Sequence, residues 1–344
     1  MLESNPTPPS LGGDPRTTLI LVSAEIERLL DLPSCMAAVE RAFVAHAEGR
    51  TFGPAVLGIH VPGGGFHFKA AGTSTPQAHF AAKLNANFPG NGSRFGLPTI
   101  QGVVVLSDAE NGFPLAVMDS AAITVLRTAA ATGLAARALA RGDARVATVC
   151  GLGAQSRAQL RALALVRPLE RAFAHDLDPV RARTFADEMT GELGVPVHAA
   201  ADLAAATRMS DLIVTCTPAR RYFLEPDMVR PGTFIAAVGS DSEDKQEIAP
   251  ALMAMAKVVA DVRAQCAEFG DLHHAIAAGT MRASDVHAEL ADVLAGRRPG
   301  RENPDEIAVF DSTGTALQDV AAAVAVHERA SAEGAGLRVR FGGR

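Results

Sequence analysis

The sequence contains no tryptophan and a single tyrosine, Tyr222, among 344 residues. So few flat rings leave little with which to stack single-stranded nucleic acid. Basic residues are not in excess either: 32 Lys and Arg stand against 38 Asp and Glu, a net charge of −6, so there is no electrostatic footprint for a phosphate backbone. The four cysteines (35, 150, 216 and 266) form no Cys-x-x-Cys pair, and Cys150 and Cys216 each close a short β-like run. They read as buried thiols rather than as disulfides or metal ligands, and no metal site is expected. No stretch of about eighteen residues is apolar throughout, and no basic start leads into an apolar segment. A cytoplasmic protein without membrane contact is the expectation.

What is present points to a globular protein of two domains. The length, with 48% hydrophobic and 20% charged residues, exceeds what one core usually serves. Residues 1–18, "MLESNPTPPSLGGDPRTT", are rich in Pro, Gly, Ser and Thr and predict a flexible tail. Residues 24–48 have helical apolar spacing interrupted at Pro33, which predicts two helices. From Ala55 to Leu106, short runs such as "GFHFKAA" and "IQGVVVLSD" alternate with Gly, Pro and Asn and predict a largely antiparallel sheet. Residues 120–140 predict a long Ala-rich helix. After Arg145 the runs "RVATVC", "RAFAHD", "VPVHA", "DLIVTC", "TFIAAV" and "KVVAD" alternate with helical stretches. That is the pattern of an α/β, doubly wound parallel sheet of the Rossmann type. "IAVFD" (307–311) adds a strand, and a last helix over about 315–333 could pack back on the first domain.

The first of these parallel strands runs into "CGLGAQSRAQL". Gly151 and Gly153 fit the first two glycines of a dinucleotide-binding turn, with Ser156 standing where the third is usual. One glycine permits the tight turn and the next lets a pyrophosphate approach the backbone at the helix start. Asp176 ends the second strand, where an acid bonds the ribose 2′-hydroxyl and repels a 2′-phosphate, favouring NAD over NADP. Asp178 competes for that role, although its place before Pro179 suits a helix cap.

"HFAAKLNANFPGN" (79–91) raises a different question, because Lys83 interrupts an apolar run and lysine is rarely buried unpaired. Its ordinary role would be at a strand end with the ammonium in water. Arg127, near the start of the Ala-rich helix, would ordinarily make an interdomain ion pair. Asp241, after a strand that ends in glycine, would ordinarily serve a turn or a cap. The adjacent His273 and His274 lie about 100° apart on a helix and do not present an i,i+4 metal pair. "RRPGR" (297–301) is expected to be a solvated loop.

Taken together, "KLNANFPGN", "GLPTIQGVVVLSDAENGFPLAVMD", "LRTAAATGLAARALA", "GLGAQSRAQL", "AVGSDSEDKQEI" and "FDSTGTALQDV" resemble the ornithine cyclodeaminase/μ-crystallin family, in register from about Leu19 to Ala330. The resemblance implies a homodimer of two-domain subunits. Residues 19–128 with 315–344 would form a substrate-binding and dimerisation domain of α+β type, and residues 129–314 an NAD(P)-binding Rossmann domain. It implies that Lys83 is the catalytic-site lysine, that Arg127 binds the substrate carboxylate and that Asp241 stands over the substrate. It also implies dinucleotide contacts at Gly151, Gly153, Gln155, Ser156 and Asp176, with Thr217, Gly239 and Ser312 beside nicotinamide or ribose. Many family members carry an arginine after a proline before the second strand; here Ala55 follows Pro54, so that cation is missing or Lys69 supplies it.

The activity implied is hydride transfer between nicotinamide and the α-carbon of a small amino or imino acid. A reductase or dehydrogenase is the leading expectation, favoured by "GDLHHAI" and by the lack of an identifiable acid reserved for a distal ammonium. The alternatives are an ornithine or lysine cyclodeaminase using bound NAD, and a non-catalytic NAD(P)H-binding protein like the crystallins.

Overall fold

A computed structural model describes residues 17–74 and 77–341. The expected flexible tail lies outside these residues up to position 16, and Thr18 already belongs to a strand.

The first sheet has seven strands: β1 (Thr18–Leu21), β2 (Thr51–Val61), β3 (Gly64–Thr73), β4 (His79–Asn87), β5 (Ile100–Asp108), β6 (Pro114–Asp119) and the C-terminal strand Leu337–Val339. β2 to β6 form an antiparallel meander, as the alternating runs predict. β1 joins β6 in parallel, and Leu337–Val339 pairs antiparallel with β1. These two pairings join segments far apart in the chain, so no local pattern announces them.

The expected pair of helices is present as Ser23–Leu29 and Leu32–Ala47. The break falls just ahead of Pro33, which lies in the first turn of the second helix where an N–H has no partner in any case. Asp31 caps that helix, its side chain accepting from Ser34 N at 2.7 Å.

The second sheet is wholly parallel. In chain order its strands are β7 (Val146–Cys150), β8 (Arg171–His175), β9 (Val197–Ala199) and β10 (Leu212–Thr215). A short ribbon of β11 (Arg220–Leu224) and β13 (Gln246–Ile248) flanks β12 (Phe234–Ala237), and β14 (Lys257–Ala260), β15 (Ala288–Glu289) and β16 (Ala308–Asp311) complete the sheet. The spatial order β15-β14-β16-β12-β10-β7-β8-β9 reverses direction between β7 and β10. At such a switch point the carboxyl ends of the strands leave a crevice for a ligand.

The helix Ser120–Leu139 joins the two halves. Ala129, Ala130, Ala131, Leu134, Ala135 and Ala136 are fully buried, and their small size lets the helices Leu32–Ala47, Ser156–Val166 and Ala316–Glu333 approach closely. This helix runs unbroken across residue 128, so the two sheets share one apolar core around it. The "RRPGR" segment is a loop exposed at Arg297, Arg298 and Pro299, as expected, but its last residue is drawn into the fold. Arg301 turns inward and donates to the carbonyl of Leu139, at the end of the long helix, and to that of Glu306, both at 2.6 Å. No helix among the described residues is long and apolar enough to cross a membrane.

Candidate active site

At the switch point, β7 ends in Gly151, whose φ of 87° lies in the left-handed region. A Cβ there would lie 2.6 Å from Thr217 Cγ2 and 3.0 Å from the Cys216 carbonyl oxygen, so glycine is required twice over. Around Gly153 a Cβ would meet nothing within 4 Å, and the backbone there faces open space. Ser156 begins the helix Ser156–Val166 and bonds back to the turn, its Oγ donating to Gly153 O at 2.7 Å. Gln155 leans toward the long helix, its Nε2 at 3.5 Å from Thr124 O, while its Oε1 is buried without a partner.

Asp176 follows β8 and accepts from Leu152 N and Asp178 N, both at 2.9 Å. Burial pushes its carboxyl up, but these bonds and the nearby Arg181 outweigh it and hold the group below the usual range. Asp178 caps the next helix, accepting from Val180 N at 2.9 Å. A glycine turn, an open helix start and a charged acid at the end of the neighbouring strand fit a dinucleotide. Gly151→Ala should abolish detectable cofactor binding, measured by quenching of NADH fluorescence, because the new methyl forces the turn into the Thr217 loop.

The residue that shapes the next part of the crevice is one that sequence reasoning passed over, although it lies within "SDSEDKQEI". Glu247 is fully buried. Its Oε1 accepts from Thr217 N and Thr217 Oγ1, both at 2.7 Å, and its Oε2 from Thr215 Oγ1 at 2.7 Å and Gly239 N at 2.8 Å. One carboxylate thus holds together the loops that follow β10 and β12. The fit is close, since a Cβ on Gly239 would sit 2.4 Å from Thr217 O.

Further buried acids continue this support behind the loops. Asp271 accepts from Glu247 N at 2.8 Å, Asp311 from Leu272 N at 2.9 Å, and Asp261 from Gly314 N at 2.7 Å and Ser312 Oγ at 3.3 Å. Burial pushes the Asp311 carboxyl up to about 7, and burial with the charges of Asp311 and Glu247 raises Asp271 well above the usual range. Ser312 is therefore held at the carboxyl end of β16, in line with Gly151, Thr217 and Gly239 along one edge of the sheet.

The first sheet meets this edge with cations. Lys83 is 3% exposed and Arg127 5%. Lys83 Nζ donates to Asp319 Oδ1 at 2.8 Å, and Arg127 Nε lies 3.0 Å from the same carboxylate. Arg127 Nη1 also donates to Gln318 Oε1 at 2.6 Å. Asp319, 1% exposed, belongs to the first turn of the helix Ala316–Glu333, where the macrodipole favours an anion. Sequence reasoning did not single it out; an acid three residues into a helix looks like an ordinary N-terminal charge. Lys69 Nζ reaches the neighbouring loop, donating to Thr313 O at 2.9 Å and Gly314 O at 2.6 Å. Gly314, with φ of 77°, makes room for the guanidinium, since a Cβ there would lie 2.6 Å from Arg127 Nη1.

So Lys83 is neither at a strand end nor in water. Burial and then the charge of Arg127 lower its ammonium to about 7, against the opposing pull of Asp319. Burial raises the Asp319 carboxyl, but Lys83 and Arg127 outweigh it and keep the group below the usual carboxylate range.

Strand register explains why these charges converge. Lys69 and Lys83 are direct cross-strand partners, flanked by Val56 and Val104 on the same face. Like charges so opposed repel unless an anion lies between them. The next row along the strands is Gly58, His67, Asn85 and Gly102. Ala55 pairs with Ala70 and points to the other face, while Val56 occupies the lysine row, so β2 contributes no cation there. Asp241 sits at the rim, 47% exposed, with Lys245 Nζ 2.6 Å from its Oδ1. Burial pushes its carboxyl up, but Lys245 and Lys69 outweigh that and lower it. His273 and His274 are tied to backbone, His273 Nδ1 lying 3.2 Å from Ala267 O and His274 Nε2 2.9 Å from Lys245 O.

Known proteins share this fold over nearly their whole length. The model of the "Ornithine cyclodeaminase/mu-crystallin family" matches residues 16–334. An archaeal alanine dehydrogenase dimer with bound NAD superposes with a TM-score of 0.90 at 36% identity, covering 94% of this chain and 99% of that one. The Δ(1)-pyrroline-2-carboxylate reductase of Thermococcus litoralis, in complex with NADH and L-proline, gives a TM-score of 0.89 at 32% identity, covering 94% and 100%. The iminosuccinate reductase of Paracoccus denitrificans, in complex with NAD+, gives 0.88 at 33% identity, covering 95% and 100%. The overall architecture is thus shared with these enzymes, and the chain belongs to the ornithine cyclodeaminase/mu-crystallin family.

Proposed function

We propose that this enzyme is an NAD-dependent reductase or dehydrogenase of α-imino and α-amino acids. The observation that carries the reading is the pair of buried cations Lys83 and Arg127 on the carboxylate of Asp319, with half-buried Lys69 beside them, facing the edge that begins at the glycine turn. Binding a dinucleotide needs none of these three cations. They suit a small anionic substrate held beside the cofactor, and the relatives named above are reductases and dehydrogenases of such acids.

Bound NADH supplies the hydride. Arg127 and Lys69 hold the substrate carboxylate, and fixing the α-carbon in this way removes a part of the barrier that reaches roughly 7–11 kcal/mol in well-oriented reactions. Lys83, with its pKa near neutrality, hands its proton to the imine nitrogen as the α-carbon is reduced, and is recharged from solvent. Asp241 at the rim offsets the positive charge of the iminium. Residues 19–128 with 315–344 hold the substrate in this reading, and residues 129–314 the cofactor.

A cyclodeaminase would need an acid for the distal ammonium. On the sheet face that floors the site the rows read Val56-Lys69-Lys83-Val104 and Gly58-His67-Asn85-Gly102, without a carboxylate. This favours the reductase. The test is to incubate the protein with NADH and a panel of imines, and separately with ornithine or lysine and NAD+. Loss of NADH supports the reading. Ammonia release with no net change in NADH would replace it with the cyclodeaminase, and silence in both arms would favour a binding protein.

NAD is favoured over NADP because Asp176 is charged and anchored by two backbone N–H groups. Asp176→Ser should shift the NADPH/NADH ratio of kcat/KM upward about 10- to 100-fold, the size of a like-charge contact of roughly 1.4–2.7 kcal/mol. A ratio that does not move would remove Asp176 from this role.

A homodimer is part of the same proposal. The outward face of the first sheet carries Phe52, Leu57, Ile59, Phe68, Phe80 and Val103, each more than a third exposed. A contiguous apolar face of this kind marks an interface. Sedimentation equilibrium at two ionic strengths would detect the dimer.

A further inference from the structure

We propose that Asp271 keeps its proton at neutral pH and donates it to Asp311, and that this bond positions the loops after β10, β12 and β16 along the crevice. Asp271 is thus a positioning residue, and the role rests on the reading that those loops line the cofactor.

A count of hydrogen-bond donors locates the proton. Glu247, Asp261, Asp271 and Asp311 are all fully buried behind the loops. An ionised carboxylate offers about four lone-pair sites to donors. Glu247 meets four donors: Thr217 N, Thr217 Oγ1, Thr215 Oγ1 and Gly239 N. Asp261 meets Val262 N and Gly314 N at 2.7 Å, Thr313 Oγ1 at 3.2 Å, and Ser312 Oγ and Cys266 Sγ at 3.3 Å. Asp311 receives one N–H on each oxygen, from Asp271 at 3.3 Å and from Leu272 at 2.9 Å. Asp271 receives Glu247 N and Ile248 N, both at 2.8 Å and both on Oδ1. Its Oδ2 is buried and meets no donor. A bare anionic oxygen is costly to bury, whereas a proton there removes the charge and makes the oxygen a donor.

The surroundings supply no counter-ion in place of that proton. Every donor to these four carboxyls is a backbone N–H, a hydroxyl or a thiol. Burial, with the charges of Asp311 and Glu247, raises the Asp271 carboxyl, and Asp261 and Glu247 add to burial at Asp311. From the helix Arg263–Phe269, Cys266 donates to Asp311 O at 3.3 Å, Glu268 is exposed, and the Arg263 N–H goes to Glu289. The helix Pro250–Met255 has no titratable side chain. His273 and His274 are held by backbone carbonyls. Lys69 of the facing sheet feels the charge of Asp261 but donates to Thr313 O and Gly314 O.

Asp311 is placed to accept. Its carboxylate lies against the chain just ahead of Asp271, where a Cβ on Gly270 would be 2.6 Å from Oδ2 and 2.7 Å from Oδ1. The bond is a junction between loops. Asp311 ends β16 and precedes Ser312, while Asp271 holds the backbone of Glu247, whose side chain holds Thr217 and Gly239. Loss of the proton would set a further charge against Asp311 and Glu247 and drive these loops apart.

Asp271→Asn is the test, because the amide keeps the acceptor for Glu247 N and Ile248 N and replaces the O–H by an N–H that cannot ionise. The infrared difference between parent and variant at pH 7 is expected to show the carbonyl stretch of a protonated carboxyl in the parent. The folded parent holds this proton where the unfolded chain has released it, so its stability declines as pH rises from about 4 until the folded group ionises. The Tm of Asp271→Asn relative to the parent should therefore rise between pH 5 and pH 9, by about 4 °C or more. The variant should bind NADH within about 3-fold of the parent, and Asp271→Leu at least about 10-fold more weakly; Asp271→Ser, measured alongside, covers a failure of the leucine variant to fold. Absence of the protonated band, a Tm difference that does not change with pH, or an asparagine variant that is unfolded or binds as poorly as the others would overturn the proposal. Full NADH affinity in both Asp271→Leu and Asp271→Ser would overturn the positioning role. A parent protein that binds no NADH would overturn the cofactor reading and the positioning role with it, while the infrared band and the Tm profile still decide where the proton resides.

Discussion

Replacing Lys83 by methionine should lower kcat for imine reduction by about 10²- to 10⁴-fold, the range supplied by a positioned proton donor, while the protein remains folded. The fold survives because Asp319 keeps Arg127 at 3.0 Å when the ammonium is gone, and because methionine fills much of the space of the lysine stem. The pH dependence supplies the diagnostic signature. With the Lys83 pKa at about 7, the protonated donor is lost as pH rises through neutrality, so kcat/KM for imine reduction declines over that interval. Amino-acid oxidation needs the unprotonated amine and should rise over the same interval. Both limbs should vanish in Lys83→Met. A variant that kept the limbs would assign them to another group, and one that kept full activity would remove Lys83 from the chemistry.

The second large effect is on stability. Asp319→Leu should destabilise the fold by about 3–5 kcal/mol, because it leaves Lys83 and Arg127 buried and without their counter-ion. In a thermal scan this is a fall in Tm on the order of 10 °C. The loss should be smaller at pH 9 than at pH 6: Lys83, whose pKa is lowered to about 7, has shed its charge at the higher pH and no longer needs the carboxylate. A Tm within about 2 °C of the parent protein at both pH values would mean that the cluster is hydrated and that Asp319 is not its keystone.

The two effects separate the roles of one cluster. Lys83 is expected to carry chemistry at modest cost to the fold, and Asp319 to carry the fold by making a buried lysine and arginine tolerable. In the present geometry the acid also keeps Lys83 from losing its proton altogether, since it opposes both burial and the charge of Arg127.

Local sequence was enough for much of this. The short runs from Ala55 to Leu106, punctuated by Gly, Pro and Asn, predict the antiparallel sheet, and alternation after Arg145 predicts the parallel one, because breakers and runs of this kind are visible in any short window. The glycine turn and Asp176 were legible because both lie beside strand ends that the pattern locates. Lys83 drew notice because a lysine in an apolar run needs a partner.

What the tertiary structure decided is who that partner is. Asp319 lies 236 residues from Lys83, on a helix that packs across the first sheet, and only packing brings the two together. Glu247 was hidden for the same reason: a glutamate in a polar stretch reads as surface until the loops after β10 and β12 fold around it. Register is the third such decision. Nothing local says that Lys69 stands opposite Lys83, or His67 opposite Asn85, because pairing is set by how whole strands align across the sheet. The sequence alone determined which elements form and that a tight glycine turn begins the second half; the packing of distant segments determined where charge collects and what it can hold.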